Sequence, residues 1–83
     1  MYRASIRITL RPSILDPQGK AIHQALGTLG FPEVEGVRMG KYAEVLINEA
    51  DRTRAEAVAR AACERLLANP VMEDYSFTLE PAG

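Results

Sequence analysis

Apolar and polar residues alternate from the start of the chain. Tyr2, Ala4, Ile6, Ile8 and Leu10 fall on one side of an extended backbone, with Arg3, Ser5, Arg7, Thr9 and Arg11 on the other. A period of two predicts a strand with one face buried and one face wet. Pro12 has no N–H to give to a ladder, so the strand stops there and turns through Ser13, Ile14 and Leu15.

The period then changes. Asp16-Pro17 predicts a helix start, because the carboxylate can accept orphan amide hydrogens and the fixed φ of proline suits the first turn. Ile22, Ala25, Leu26 and Leu29 trace one apolar stripe, and Gly30 followed by Phe31-Pro32 predicts the stop. Gly19 costs helix propensity in that first turn, so something other than helicity wants it small.

From Glu33 to Asn48 the odd positions Val37, Met39, Ala43, Val45 and Ile47 share a face, interrupted by Lys41. The pattern predicts a second strand, either long or divided into a hairpin at Gly36 or Gly40. Asp51 caps a second predicted helix running to about Leu67. Its buried stripe is Ala55, Val58, Ala62 and Leu66, and Asn69-Pro70 ends it. Val71, Tyr75, Phe77 and Leu79 then alternate through a closing strand from Val71 to Glu80, leaving Pro81 to Gly83 as a loose tail.

Strand, helix, strand or hairpin, helix, strand predicts an α+β fold, a ferredoxin-like two-layer unit. Its antiparallel sheet has three main strands, or four if residues 34–48 fold as a hairpin, and carries two helices on one face. The opposite sheet face would present Arg3, Arg7, Thr9, Arg11, Glu44, Thr78 and Glu80 beside Leu46 and Met72. Such a mixed surface suits association of sheet against sheet.

Composition narrows the function. Eighty-three residues make a single domain spanning 1–83, small enough that association with copies of itself would add materially to its stability. Ten Lys and Arg against eleven Asp and Glu give a net charge of −1 without blocks of one sign. Neither nucleic acid nor membrane is an expected partner, since binding phosphates needs clustered cations. One cysteine excludes an internal disulfide, and no apolar run is long enough to span a bilayer, so a cytoplasmic location is expected. Cys63 and His23 together fall short of a zinc ligand set, and no metal or cofactor is expected on this chain.

No catalytic template is met. His23 has no patterned acid partner, and Cys63 lies in an alanine-rich stretch where an inert packed thiol is the default. Arg38-Met39-Gly40-Lys41 has two cations about a glycine but lacks the longer frame of a phosphate loop. Glu73 and Asp74 are adjacent, and neighbours on a strand point to opposite faces. Fold analogy alone leaves a small-molecule-sensing regulatory module as the alternative.

Three segments go beyond periodicity: LRPSILDPQGK from Leu10 to Lys20, VRMGKYAE from Val37 to Glu44, and LLANPVMEDY from Leu66 to Tyr75. Together they resemble the PurS family, the small subunit of phosphoribosylformylglycinamidine synthase. The resemblance rests on Leu10, Arg11 and Pro12, then Leu15 to Gly19, then Val37, Arg38, Gly40 and Lys41. It is completed by Leu66, Leu67, Asn69, Pro70, Val71, Glu73 and Tyr75.

That resemblance implies a subunit that is not catalytic alone. It would belong to an ATP-dependent, glutamine-using ligase of purine biosynthesis that turns formylglycinamide ribonucleotide into the amidine. It further implies dimers, often paired into tetramers, that bridge a large synthetase subunit (PurL) and a glutaminase subunit (PurQ) and help ammonia pass between them. ATP and Mg would be used by the synthetase subunit. On the residues themselves, turns made rigid by proline and glycine suit docking, because less order remains to be imposed on binding. The expected partner-interface residues are Arg11, Asp16, Gln18, Arg38, Lys41, Tyr42, Asn69, Glu73, Asp74 and Tyr75.

Overall fold

In the computed structural model, which describes residues 1–82, the elements run β1 (Tyr2–Leu10), α1 (Pro17–Thr28), β2 (Gly40–Ile47), α2 (Arg52–Ala62) and β3 (Glu73–Pro81). The three strands form one antiparallel sheet in the order β2-β1-β3. β1 is the central strand, with Ile6 opposite Ala43 on one side and Phe77 on the other. The α+β class, the antiparallel strands and the two helices are as the sequence predicts.

The inner face is set by register. Ala4, Ile6 and Ile8 lie between Ala43, Val45 and Ile47 on β2 and Tyr75, Phe77 and Leu79 on β3. Onto this face packs α2 through Ala55, Ala59 and Cys63, all fully buried. Small side chains let the helix approach the sheet closely, and Ile6 and Ile8 are the largest apolar side chains fully buried there, about 2 to 3 kcal/mol each on burial.

Topology explains where α1 lies. Because β2 and β3 both run antiparallel to β1, they are parallel to each other, and the β2-α2-β3 connection must cross the sheet over β1. No such demand falls on α1. β1 ends beside the start of β2, with Thr9 opposite Gly40, so the intervening segment is a hairpin connection that never has to traverse a face. α2 therefore covers the sheet, while α1 makes no more than marginal contact with any strand and, with residues 29–37, forms an arm. The molecule is correspondingly long, 50 × 28 × 14 Å.

Several boundaries move for identifiable reasons. Residues 34–39 are not a strand, and β2 begins at Gly40, where a Cβ would stand 2.5 Å from the Ile8 carbonyl oxygen. The sheet thus has three strands and no hairpin within 34–48. α2 passes into a π-helical turn, Cys63–Leu67, closed by Ala68 N–H donating to the Cys63 carbonyl at 2.9 Å. Within α2 itself the buried stripe is Ala55, Ala59 and then Cys63, four residues apart, where Ala55, Val58, Ala62 and Leu66 are expected; past Ala62 the wider turn shifts the helical phase and turns Leu66 out to 83 % exposure. Val71 leaves the inner face because the closing strand starts only at Glu73. Pro81 belongs to β3, and Ala82 N–H donates to the Met1 carbonyl, so the expected loose tail is tied down as far as it is described; Gly83 lies outside the described residues.

Candidate partner interface

The chain end where β1 stops and β2 and β3 start gathers most of the residues singled out from the sequence. Asp16 sits at its centre. As the N-cap of α1 it accepts Gly19 N–H on Oδ1 at 2.9 Å, and Oδ2 accepts Met39 N–H at 2.7 Å. Those two bonds, Met39 first, hold its carboxyl below the usual carboxylate range, with the Arg38 charge adding to them and burial working against them. A single buried carboxylate therefore joins the arm to the root of β2.

Gly19 is small because of this arrangement. A Cβ there would lie 2.5 Å from both Asp16 Oδ2 and the Val37 carbonyl oxygen. At the far end of α1, Gly30 takes φ 99°, and Phe31 N–H returns to the Leu26 carbonyl while Gly30 N–H returns to Gly27, the closure that left-handed glycine permits. His23 is part of the same arm, with Nε2 2.8 Å from the Val34 carbonyl oxygen.

Arg38 crosses to the turn after β1. Its Nη2 donates to the carbonyls of Arg11 at 2.9 Å, Ile14 at 3.2 Å and Leu10 at 3.3 Å. This one nitrogen carries two hydrogens, so the three carbonyls share them, with the Arg11 carbonyl the nearest. Arg11 makes the next link: Nη2 donates to the Pro70 carbonyl at 2.7 Å, and Nε stands 3.4 Å from Asp74 Oδ1.

The third turn is built around Asn69 and Glu73. Asn69 Oδ1 accepts Val71 N–H and Met72 N–H, and Glu73 N–H donates to the Asn69 carbonyl. Glu73 Oε1 in turn accepts Asn69 N–H at 2.8 Å, while Lys41 Nζ stands 3.3 Å from Glu73 Oε2 and donates to the Leu67 carbonyl at 3.3 Å. The Asn69 bond, then Lys41, lowers the Glu73 carboxyl below its ordinary value against the opposing effect of burial. Tyr75, one pair further along β3, donates its hydroxyl to Glu64 Oε1 at 3.0 Å; burial and that carboxylate push its phenol up.

Arg11, Asp16, Arg38, Lys41, Asn69, Glu73 and Asp74 thus form one braced end of the molecule. Gln18 borders it, lining a shallow depression with Asp16, Gly40, Lys41 and Glu73. Tyr42 does not join them: it lies opposite Arg7 on the outer sheet face and is 57 % exposed. Glu73 and Asp74 point to opposite faces, as adjacent strand residues must, Glu73 toward Lys41 and Asp74 toward Arg11.

Sequence reasoning read Leu66 and Val71 as buried and set Met72 on the open outer sheet face, so it missed that the three meet at this end. Leu66, Val71 and Met72 stand exposed around the Asn69 turn, and Leu15 stands exposed beside Asp16. Val71 and Met72 could have been found from Asn69-Pro70 directly before them, which takes them out of the strand; the π-helical turn that exposes Leu66 has no signal in periodicity. What the arrangement offers is paired charges and backbone-held turns around exposed apolar side chains. Among the described residues, no three His, Cys, Asp or Glu are grouped to hold a metal ion, and no helix is long and apolar enough to cross a membrane. Cys63 is fully buried, and burial, then Glu64, raises its thiol pKa.

Comparison with known proteins adds the family. A family model described as PurS, phosphoribosylformylglycinamidine (FGAM) synthase, matches residues 3–81. The chain is 42 % identical over 80 residues to the phosphoribosylformylglycinamidine synthase subunit PurS of Bacillus subtilis, covering 96 % of this chain and 94 % of that protein. Its fold is similar to the solved B. subtilis PurS structure, with TM-score 0.88, 42 % identity, and coverage of 98 % and 100 %. It is also similar to a chain in the structure of PurLQS from Thermotoga maritima, with TM-score 0.87, 28 % identity, and coverage of 95 % and 96 %.

Proposed function

This chain belongs to the PurS family, and we propose that it is the non-catalytic bridging subunit of phosphoribosylformylglycinamidine synthase in purine biosynthesis. In this reading it associates with itself and links the synthetase subunit PurL to the glutaminase subunit PurQ. It aids the passage of ammonia between them, in the cytoplasm, while ATP and Mg are handled by the synthetase subunit. The match across residues 3–81 carries the reading. The fold likeness to a chain of PurLQS supports the place in a complex.

The braced end of the sheet supports the choice of docking surface. Its turns are held by Asp16, Arg38 and Glu73, so little conformational freedom remains to be lost on binding. Arg11, Gln18, Lys41, Asp74 and the exposed Val71 and Met72 are its outward groups, polar orienting residues around an apolar patch. Tyr42 is kept as a contact on the separate outer sheet face.

Reconstitution tests it. The purified chain alone is expected to show neither synthetase nor glutaminase activity, and adding it to the two larger subunits is expected to restore glutamine-dependent amidine formation. Equal turnover with and without the chain would sink the reading.

A further inference from the structure

The turn after β1, the start of α1 and the segment that returns to β2 enclose an open cavity of about 580 Å³. Small-metabolite sites run from roughly 300 to 1,000 Å³. Two basic side chains from different segments reach this one: Lys20 from the first turn of α1, and Arg38 from the return. Neither forms an ion pair among the described residues. Asp16 is the one acid in the lining, and its two oxygens are committed to the Gly19 and Met39 amides. Glu33 and Glu35, on the same return, are exposed and do not line the cavity. The cavity therefore carries positive charge in excess, within a chain whose net charge is −1.

Arg38 is in place before any ligand arrives. Its Nη2 lies on the carbonyls of Leu10, Arg11 and Ile14, while Nε and Nη1 have no acceptor among the described residues. A guanidinium anchored through one nitrogen keeps its opposite edge for a pair of oxygens on one acid, the fork that suits phosphate. Little order is left to impose on binding. His23 is fixed in the same way: Nε2 gives its hydrogen to the Val34 carbonyl, and Nδ1 is left for a ligand. Ser13 adds a hydroxyl to the lining.

The rest of the lining is apolar. Ile14, Leu15 and Val37 belong to it, and Leu15 stands 71 % exposed. A few placed polar groups beside an apolar wall is the usual make-up of a small-molecule site, the first fixing orientation and the second supplying area. None of the outward groups assigned to docking, Arg11, Gln18, Lys41, Asp74, Val71 and Met72, lines this cavity.

We propose that this cavity binds a small phosphomonoester, its phosphate between Lys20 and Arg38 and its organic part against Ile14, Leu15 and Val37. The free edge of Arg38 and the Lys20 ammonium take the phosphate oxygens, with Ser13 and His23 beside them. The contacts come from side chains, so no glycine-rich phosphate loop is needed. A nucleoside monophosphate meets both requirements, charge at one end and flat apolar area at the other. The site does not depend on the bridging role and can fail without it.

Amide chemical shifts of the isotope-labelled chain, titrated with adenosine monophosphate, inorganic phosphate or adenosine at constant ionic strength, test the site. Adenosine monophosphate is expected to saturate with a Kd below about 1 mM, to move the amides of residues 13–23 and 36–38, and to bind more tightly than inorganic phosphate or adenosine. Lys20 is exposed and has no ion pair to lose, so Lys20→Gln is expected to melt like the wild type and to bind at least about tenfold more weakly. Arg7→Gln, on the outer face of β1, is expected to bind like the wild type. Shifts that never saturate or that spread over the sheet would mean screening of surface charge, and overturn the site. Equal affinity for inorganic phosphate and adenosine monophosphate overturns the ester, and unchanged binding by Lys20→Gln overturns the place assigned to it. No binding of any probe, with assembly impaired in Lys20→Gln, would give these cations to a partner's carboxylate and overturn the proposal.

Discussion

Asp16 Oδ2 accepts the Met39 N–H at 2.7 Å across 23 residues of sequence, and this bond closes the base of the arm. The other oxygen of the same carboxylate caps α1 through Gly19, so the start of the helix and the root of β2 share one acceptor. Whatever disturbs that carboxylate should loosen the arm and leave the sheet standing.

Gly19→Ala is the most direct disturbance. On helix propensity alone the change would stabilise by up to about 1 kcal/mol. The new methyl group would instead strike Asp16 Oδ2 and the Val37 carbonyl, so a net loss of about 2 kcal/mol is expected in urea unfolding. Gly27→Ala, with nothing within 4 Å, is expected to gain about 0.5 to 1 kcal/mol. Equal effects at the two sites would refute the account of Gly19.

Acid should act through Asp16 and Glu73. Both carboxyls lie lower in the folded chain than unfolded, so the stability they contribute is fully present above the unfolded values, near pH 4. It is lost as pH falls through the depressed folded values. Stability measured against pH is expected to decline from about pH 4 downward, and Asp16→Asn to be less stable at neutral pH with a shallower decline. A decline of unchanged slope in Asp16→Asn would show that other carboxylates carry it.

Arg38→Lys tests the three-carbonyl contact. Lysine keeps the charge but is shorter and lacks the planar guanidinium, so its contact with the preceding turn is expected to weaken, and because the group is exposed the loss is expected to be about 1 kcal/mol. Hydrogen exchange should rise at Met39 and Gly19, with the amides of β1 unchanged. Uniform acceleration would mean that Arg38 supports the whole fold.

Lys41 separates docking from folding. Its ion pair with Glu73 is exposed on the lysine side, so Lys41→Met is expected to change stability by less than about 0.5 kcal/mol. Lys41→Glu sets two carboxylates against each other and is expected to destabilise. If Lys41→Met nonetheless weakens assembly with the larger subunits, Lys41 meets a partner; unimpaired assembly removes it from the interface.

Cys63 should be silent until the chain opens. It is fully buried and its thiol is shifted upward, both of which suppress the reactive thiolate. Labelling by a thiol reagent is expected to track global unfolding across a denaturant series. Rapid labelling of the native chain would show local opening at the π-helical turn.

Periodicity gave β1 and most of β3, and the caps Asp16 and Asp51 with Gly30 gave both helix starts and the closure of α1, because those features depend on neighbours within a few residues. Asp16 was legible as a cap; its second bond, to Met39, was not, since nothing local links positions 16 and 39. Arg38 read as a possible anion or partner contact, and the structure turns its guanidinium onto the backbone of the preceding turn. Lys41 read as an interruption of an apolar face and proves to be the partner of Glu73, at the end of that face where α2 no longer covers it.

By itself the sequence determined the class of the fold, the caps and the family, because capping, alternation and short motifs are local properties of a chain. Tertiary structure decided what the helices do. An antiparallel neighbour needs no crossover, so pairing β1 with β2 freed α1 from the sheet, while β2 and β3, parallel and separated by β1, obliged α2 to cross it. Which strands become neighbours is a long-range choice, and α1 becomes an arm through that choice, not through anything written in its own twelve residues.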